Sequence, residues 1–264
     1  MTSKMTQGLK IIAIIPARMG SSRFPGKPMA HILGIPMVGH VYYRVRMCSL
    51  VSETYVATCD KEIFDYLEGI GGKAIMTADT HERCTDRTAE AMLKVEEMTG
   101  EKLDIVVMVQ GDEPMVTPDM IEQAVSPFLE EPGVNVVNLM AEIGTVKEFE
   151  DPNEVKVVVG LDGNALYFSR EPIPSRKKGG QDVPMLKQVC IIPFRRDYLL
   201  RFNEMAETPL ERIESVDMMR ILEHGEDVRM VMTKSKTLAV DTPEDLERVV
   251  HMMKDERLRN RYSR

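Results

Sequence analysis

No stretch of this 264-residue chain approaches the ~18 consecutive apolar residues that a membrane-spanning helix requires, and residues 1–10 contain no apolar signal core. The expectation is a cytoplasmic protein with no membrane span. Basic charge is not in excess either: the net charge is −8, whereas a phosphate backbone demands a basic face, so no nucleic-acid partner is expected. The four cysteines, Cys48, Cys59, Cys84 and Cys190, show no C-x-x-C spacing and read as free, mostly buried thiols. Five scattered histidines form no H-E-x-x-H pair, which excludes the commonest zinc-hydrolase signature. Tryptophan is absent while methionine occurs 21 times, which implies a Met-rich core and no more than that. Internal repeats and low-complexity tracts are missing as well.

What is present begins with residues 11–28. Five apolar residues, Ile11 to Ile15, read as a short strand buried on both faces. The loop that follows carries Gly20, Gly26, Ser21, Ser22, Arg18, Arg23 and Lys27. Small residues let backbone N–H groups approach an anion, and three cations neutralise it. A buried strand delivering such a loop is how an α/β sheet holds a phosphate at the carboxyl ends of its strands. It is not a Walker loop: five residues rather than four separate Gly20 from Gly26, and Pro28 replaces the Ser or Thr whose hydroxyl would bind magnesium. The dinucleotide fingerprint G-x-G-x-x-G is absent too, which disfavours a dehydrogenase.

Strand and helix signals then alternate. Helices are expected at 37–50, 61–70 (stopped by Gly71-Gly72), 86–98 and 118–129, with Thr117 as cap and Pro118 at the first helical position. Strands are expected at 54–58, 73–77 and 105–109, the last as the central strand. This repeated βα pattern implies a three-layer αβα domain built on a mostly parallel sheet. Beyond Pro132 the pattern changes to strands at 135–142, 155–160, 165–169 and 188–194, with a hairpin turn at Asp162-Gly163-Asn164. We read a single domain over 10–253 with a smaller antiparallel insertion at about 133–195. Arg176-Lys177-Lys178 reads as a solvated basic loop. A helix ending at Gly225 and a strand at 228–232 follow. Residues 238–240 then lead to Asp241 and a capped helix to about 253. The charged tail 254–264 is expected to fray.

Two aspartates stand in parallel settings, Asp112 after the strand 105–109 and Asp241 after Leu238-Ala239-Val240. Both are expected on the sheet edge that carries the cationic loop, because the parallel strands that precede them all end there. Magnesium takes one or two carboxylates together with phosphate oxygens and water, so two aspartates facing a phosphate loop suit metal-assisted nucleotidyl transfer.

At these residues the chain resembles a known family. Residues 16–28, Gln110-Gly111-Asp112-Glu113-Pro114, Ala165 to Arg170 and Val240 to Asp245 are similar, in order, to the motifs of CMP-Kdo synthetase. That family, 3-deoxy-manno-octulosonate cytidylyltransferase, belongs to the sugar-acid nucleotidyltransferases. The resemblance implies the nucleotidyltransferase fold, with the insertion used for sugar binding and dimerisation, hence a homodimer. It implies transfer of CMP from CTP to a 3-deoxy-2-keto sugar acid for lipopolysaccharide or surface polysaccharide synthesis. Asp112 and Asp241 would hold Mg2+, and with Lys27 they would be the catalytic residues. Ala17, Arg18, Ser22, Arg23, Lys27 and Arg87 would bind the nucleotide. Gln110, Arg170, Gln188, Glu214 and Asp217 would face the sugar acid, an arginine fork suiting its carboxylate.

The chain departs from the family pattern at Arg83-Cys84, where Ser-Gly is usual, at Gln188 in place of a His, at Ile192 in place of an aromatic, and at Cys59. None of these is a phosphate or metal residue, so the departures bear on which sugar acid is used. A CMP-sialate-type or other sugar-acid nucleotidyltransferase is the first alternative. A catalytically silent nucleotide-binding protein is the second, and the intact pair of aspartates disfavours it.

Overall fold

The computed structural model describes residues 8–21, 23–177 and 183–263. Strand β1 (Ile11–Pro16) is buried along its whole length, as its unbroken apolar run requires. Its side chains alternate between two cores: Ile12 and Ile14 enter one, Ile11, Ala13 and Ile15 the other. Strand β6 (Ile105–Val109) splits its residues in the same way. A strand with two apolar faces needs cover on both sides, and each fully buried Ile or Val contributes about 1.5–3 kcal/mol to it. Helices α1 (Met37–Val45), α2 (Lys61–Gly69) and α4 (Pro118–Glu130) supply one cover, and α3 (Cys84–Thr99), α6 (Arg196–Glu204) and α8 (Met218–Glu223) the other. The expected three layers result.

The first sheet is ordered β11-β6-β1-β4-β5, where β4 is Glu53–Thr58, β5 is Ala74–Met76 and β11 is Ile191–Arg195. Strands β6, β1, β4 and β5 are mutually parallel, and β11 runs antiparallel to β6. The second sheet is ordered β12-β7-β10-β8-β9, from β7 (Val137–Glu142), β8 (Lys156–Val159), β9 (Ala165–Ser169), β10 (Leu186–Val189) and β12 (Arg229–Thr233). It is antiparallel except for β12, which pairs parallel to β7 from outside the expected insertion.

Three expectations change. The run 188–194 is not one strand: it breaks at Cys190, with β10 in the second sheet and β11 in the first. Residues 238–240 form no strand and reach the site as irregular backbone. The described part of the tail, residues 254–263, is tied down rather than frayed. Glu256 pairs with the fully buried Arg44 of α1, and the Tyr262 hydroxyl accepts from Arg44 Nε at 2.8 Å. His40 Nε2 lies 2.7 Å from the Ile32 carbonyl oxygen, which can only accept, so this nitrogen carries the proton. His40 Nδ1 therefore accepts from the Tyr262 hydroxyl, 2.8 Å away. Short elements between the expected ones are a hairpin of β2 (His31–Ile32) and β3 (Ile35–Pro36), and helices α5 (Val146–Phe149) and α7 (Pro209–Glu214).

Candidate active site

The parallel strands deliver their following loops to one edge, where a crevice forms. The cationic loop after β1 is closed on itself by Ser21 N–H and Gly26 N–H donating to the Met19 carbonyl at 2.9 and 3.1 Å. The Asp60 carboxylate, just after β4, accepts from Met19 N–H at 2.8 Å and anchors it. Gly26 stands at φ 75°, a left-handed conformation that glycine adopts without strain, and there it caps the 3-10 turn Lys27–Met29. This turn aims Lys27 inward. Gly111 meets a different demand: a Cβ there would lie 3.1 Å from the Pro16 carbonyl oxygen and 3.3 Å from Ala17 Cβ. Glycine lets the loop bearing Asp112 pack this closely on the cationic loop without pushing these atoms apart by a few tenths of an ångström.

Asp112 and Asp241 converge. Lys27 Nζ lies 2.9 Å from Asp112 Oδ2 and 3.2 Å from Asp241 Oδ1, and Arg23 reaches Asp241 Oδ1 at 2.8 Å. Asp241 is held near by its neighbour, since Val240 N–H donates to the Asp112 carbonyl oxygen at 2.9 Å. Thr242 and Asp245 then form a capping box on α9 (Pro243–Met253). Burial opposes the Lys27 charge, but the two carboxylates outweigh it, and the ammonium is held above its ordinary pKa. Two hard carboxylates focused on one cation fit a magnesium ion whose remaining ligands are phosphate oxygens and water. Among the described residues no cluster of three or more His, Cys, Asp or Glu offers a site made of protein ligands alone.

Two cavities meet at this pair. The first, ≈ 370 Å³, is lined by Ala17, Arg18, Arg23, Lys27, Arg83, Arg87, Gln110 and Asp112 among others. The second, ≈ 160 Å³, is lined by Arg23, Gln110, Asp112, Glu113, Glu154, Arg170, Gln188, Asp217 and Asp241 among others. Arg23, Gln110 and Asp112 belong to both walls. The expected nucleotide residues thus gather in one cavity and most of the expected sugar residues in the other; Ser22 and Lys178 lie outside the described residues.

Several side chains are more engaged than their sequence positions suggest. Arg87, buried, donates to the carbonyls of Ala78 and His81 at 3.2 and 3.4 Å and braces the loop after β5. Arg170 donates through Nε to the Glu214 carbonyl at 2.7 Å and through Nη1 to the Pro152 carbonyl at 2.9 Å. Glu214 lines neither cavity. Its carboxylate accepts from the Ser169 hydroxyl, the Arg170 N–H and the Tyr167 hydroxyl at 2.9, 2.8 and 3.2 Å, so it props β9 and Arg170. Gln188 Nε2 donates to Asn138 Oδ1 at 2.5 Å. Burial pushes the Asp217 carboxyl up, against the pull of Arg83 at 3.4 Å and the Thr85 hydroxyl at 2.9 Å.

Sequence reasoning missed Asn153, which accepts from Arg23 across the junction, and Lys156, fully buried and bound to the carbonyls of Asp151, Glu154 and Arg170. A lone Lys in a strand gave the only signal. Arg83, noted as a departure, stands in the first cavity and pairs with Glu207 at 3.2 Å and with Asp217. Burial, reinforced by neighbouring Asp112, raises Glu113 to about 7.

Residues 12–228 match the cytidylyltransferase family model. The chain is 42% identical over 255 residues to the 3-deoxy-manno-octulosonate cytidylyltransferase of Geobacter metallireducens, covering 93% of this chain and 98% of that protein. Identity to the enzyme of the same name from Geobacter sulfurreducens is 43% over 256 residues, with 93% and 100% covered. A solved CMP:2-keto-3-deoxy-manno-octonic acid synthetase complexed with CTP superposes with a TM-score of 0.84 at 39% identity, covering 93% of this chain and 98% of that one. The 4-diphosphocytidyl-2C-methyl-D-erythritol synthase of Anaerococcus prevotii, 14% identical, shares the fold at a TM-score of 0.64, with 95% and 99% covered.

Proposed function

The chain belongs to the CMP-Kdo synthetase family, a group of nucleotidyltransferases, and from that premise we propose how its residues carry out the reaction. CTP and a 3-deoxy-2-keto sugar acid, Kdo or a close relative, give the CMP-sugar and pyrophosphate. CTP occupies the larger cavity, where Arg18, Arg23 and Lys27 neutralise the triphosphate, with Ala17 beside it and Arg87 bracing the wall. The sugar acid occupies the smaller cavity against Gln110, Arg170, Gln188 and Asp217, with Glu214 holding Arg170 in place. The anomeric hydroxyl then faces the α-phosphorus across the seam that Arg23, Gln110 and Asp112 share. Asp112 and Asp241 would hold Mg2+, which when bound neutralises phosphate charge and orients the two reacting oxygens. The protein's own contribution is positioning and preorganised charge.

The observation that carries this reading is the convergence of Asp112 and Asp241 on Lys27 where the two cavities meet. The second sheet, with exposed Leu161 and Leu166 on its β8–β9 hairpin, supports assembly as a homodimer, which sedimentation velocity tests directly. No helix among the described residues is long and apolar enough to cross a membrane, and we assign the reaction to the cytoplasm, where it would feed lipopolysaccharide or surface polysaccharide synthesis. The test of the activity is pyrophosphate release with CTP, Mg2+ and a panel of sugar acids. Turnover with Kdo or a close relative supports the reading. Turnover with a sialate alone moves the substrate to the sibling family, and CTP binding without release under every acid overturns it.

A further inference from the structure

Resting on the reading above, we infer that Glu113 is a positioning residue that sets the spacing of Asp112 and Asp241. Its side chain is buried beside Asp112, and each carboxylate oxygen holds a different chain segment. Oε1 accepts from Cys190 N–H at 3.0 Å, at the point where the chain passes from β10 to β11 and changes sheets. Oε2 accepts from the Thr237 hydroxyl at 3.0 Å, in the irregular segment between β12 and Asp241. That segment has no ladder to fix it. It is tied to the loop bearing Asp112 by the Thr237 contact and by Val240 N–H donating to the Asp112 carbonyl oxygen. A buried carboxylate is costly to maintain, and two hydrogen bonds to separate segments give it a use that an apolar side chain could not supply.

Removing the carboxylate frees Thr237 and leaves the Cys190 N–H without its acceptor. The approach of Asp241 then loosens while the phosphate loop is untouched. Glutamine can replace glutamate here: its amide oxygen accepts from Cys190 N–H and its NH2 donates to Thr237 Oγ1, whose hydroxyl turns to suit. Removal of groups that orient metal ligands costs roughly 10–100-fold in metal affinity, and Glu113→Ala is expected at the lower end.

The experiment compares wild type, Glu113→Ala, Glu113→Gln and Thr237→Val. Mn2+ binding is read by electron paramagnetic resonance with CTP present, and amide exchange over residues 234–242 in the metal-free protein. Expected are about a tenfold weaker Mn2+ constant and faster exchange for Glu113→Ala, a smaller loss for Thr237→Val, and near wild-type behaviour for Glu113→Gln. CTP affinity without metal stays within about twofold. Wild-type Mn2+ binding and exchange in Glu113→Ala, or a glutamine variant no better than alanine, overturns the inference. Should Glu113→Ala not fold, Thr237→Val must still weaken Mn2+ binding and Glu113→Gln must not. A wild-type enzyme that binds no Mn2+ with CTP overturns the functional reading instead, and the metal-free exchange still decides the role of Glu113.

Discussion

Replacing Lys27 with methionine probes the site at its electrostatic centre. The ammonium, with its side chain 11% exposed, faces Asp112 at 2.9 Å and Asp241 at 3.2 Å, and those side chains are 23% and 19% exposed. Each contact is worth about 4 kcal/mol of gross attraction at an effective dielectric near 20, most of which offsets the desolvation of the charges. Breaking a fully buried pair costs about 3–5 kcal/mol, and here partial exposure and the Arg23 contact at 2.8 Å cushion the loss. We expect about 2 kcal/mol of destabilisation without metal, or a fall of about 4–8 °C in Tm for a domain of this size. Two carboxylates without their shared ammonium then attract a divalent ion more strongly. Mg2+ should raise the Tm of Lys27→Met by more than that of wild type, read by scanning fluorimetry against EDTA. In the proposed binding mode the same ammonium grips the triphosphate, so kcat/KM should fall by roughly 10²–10³-fold even with Mg2+ saturating. An Mg2+ response equal to wild type, or undiminished turnover, would refute the reasoning.

Asp112→Ala and Asp241→Ala should each abolish Mg2+-dependent pyrophosphate release while leaving the circular dichroism spectrum unchanged; wild-type rates in either variant contradict the metal assignment. Gln188→His, a change confined to the smaller cavity, should alter the ratio of kcat/KM values among sugar acids by several-fold, and a pure change in the KM for CTP would count against it. The tail gives a pH prediction. Burial lowers the His40 pKa to about 4 from its ordinary 6.5, so the neutral ring's contribution is complete above about pH 6.5 and is lost as pH falls through 4. The loss amounts to as much as about 3 kcal/mol. Urea denaturation between pH 7 and 4 should therefore show a steeper decline for wild type than for His40→Gln, and parallel curves would exclude His40 as the source.

Much of this was legible where chemistry and local pattern coincide. The apolar runs of β1 and β6 named the buried strands, and Gly20, Gly26 and the cations marked the loop after β1 as the one to look at. The break at Cys190 was not legible: residues on either side are apolar, no turn residue stands between them, and the change of sheet is fixed by tertiary partners. Gln110 N–H donates to the Cys190 carbonyl at 3.0 Å while Glu113 accepts from its N–H. The tail misled for a related reason. Its charge density reads as a solvated end, yet Glu256 and Tyr262 meet Arg44 and His40 from more than 200 residues away, a pairing that local composition does not encode. Likewise Asp241 lies at the sheet edge with Asp112, tied there by the Val240 backbone hydrogen bond and the Glu113–Thr237 contact rather than carried by a strand. Arg170 and Glu214 look free in sequence because the carbonyls and hydroxyls that engage them lie on other elements.

The central claim is that Asp112 and Asp241 together hold one divalent ion against the triphosphate of CTP. Anomalous diffraction from crystals grown with CTP and Mn2+ tests it most directly. One strong peak is expected between the two carboxylates, in contact with an oxygen of each and with a phosphate oxygen. A peak bound to phosphate alone, or to only one of the two aspartates, would contradict it.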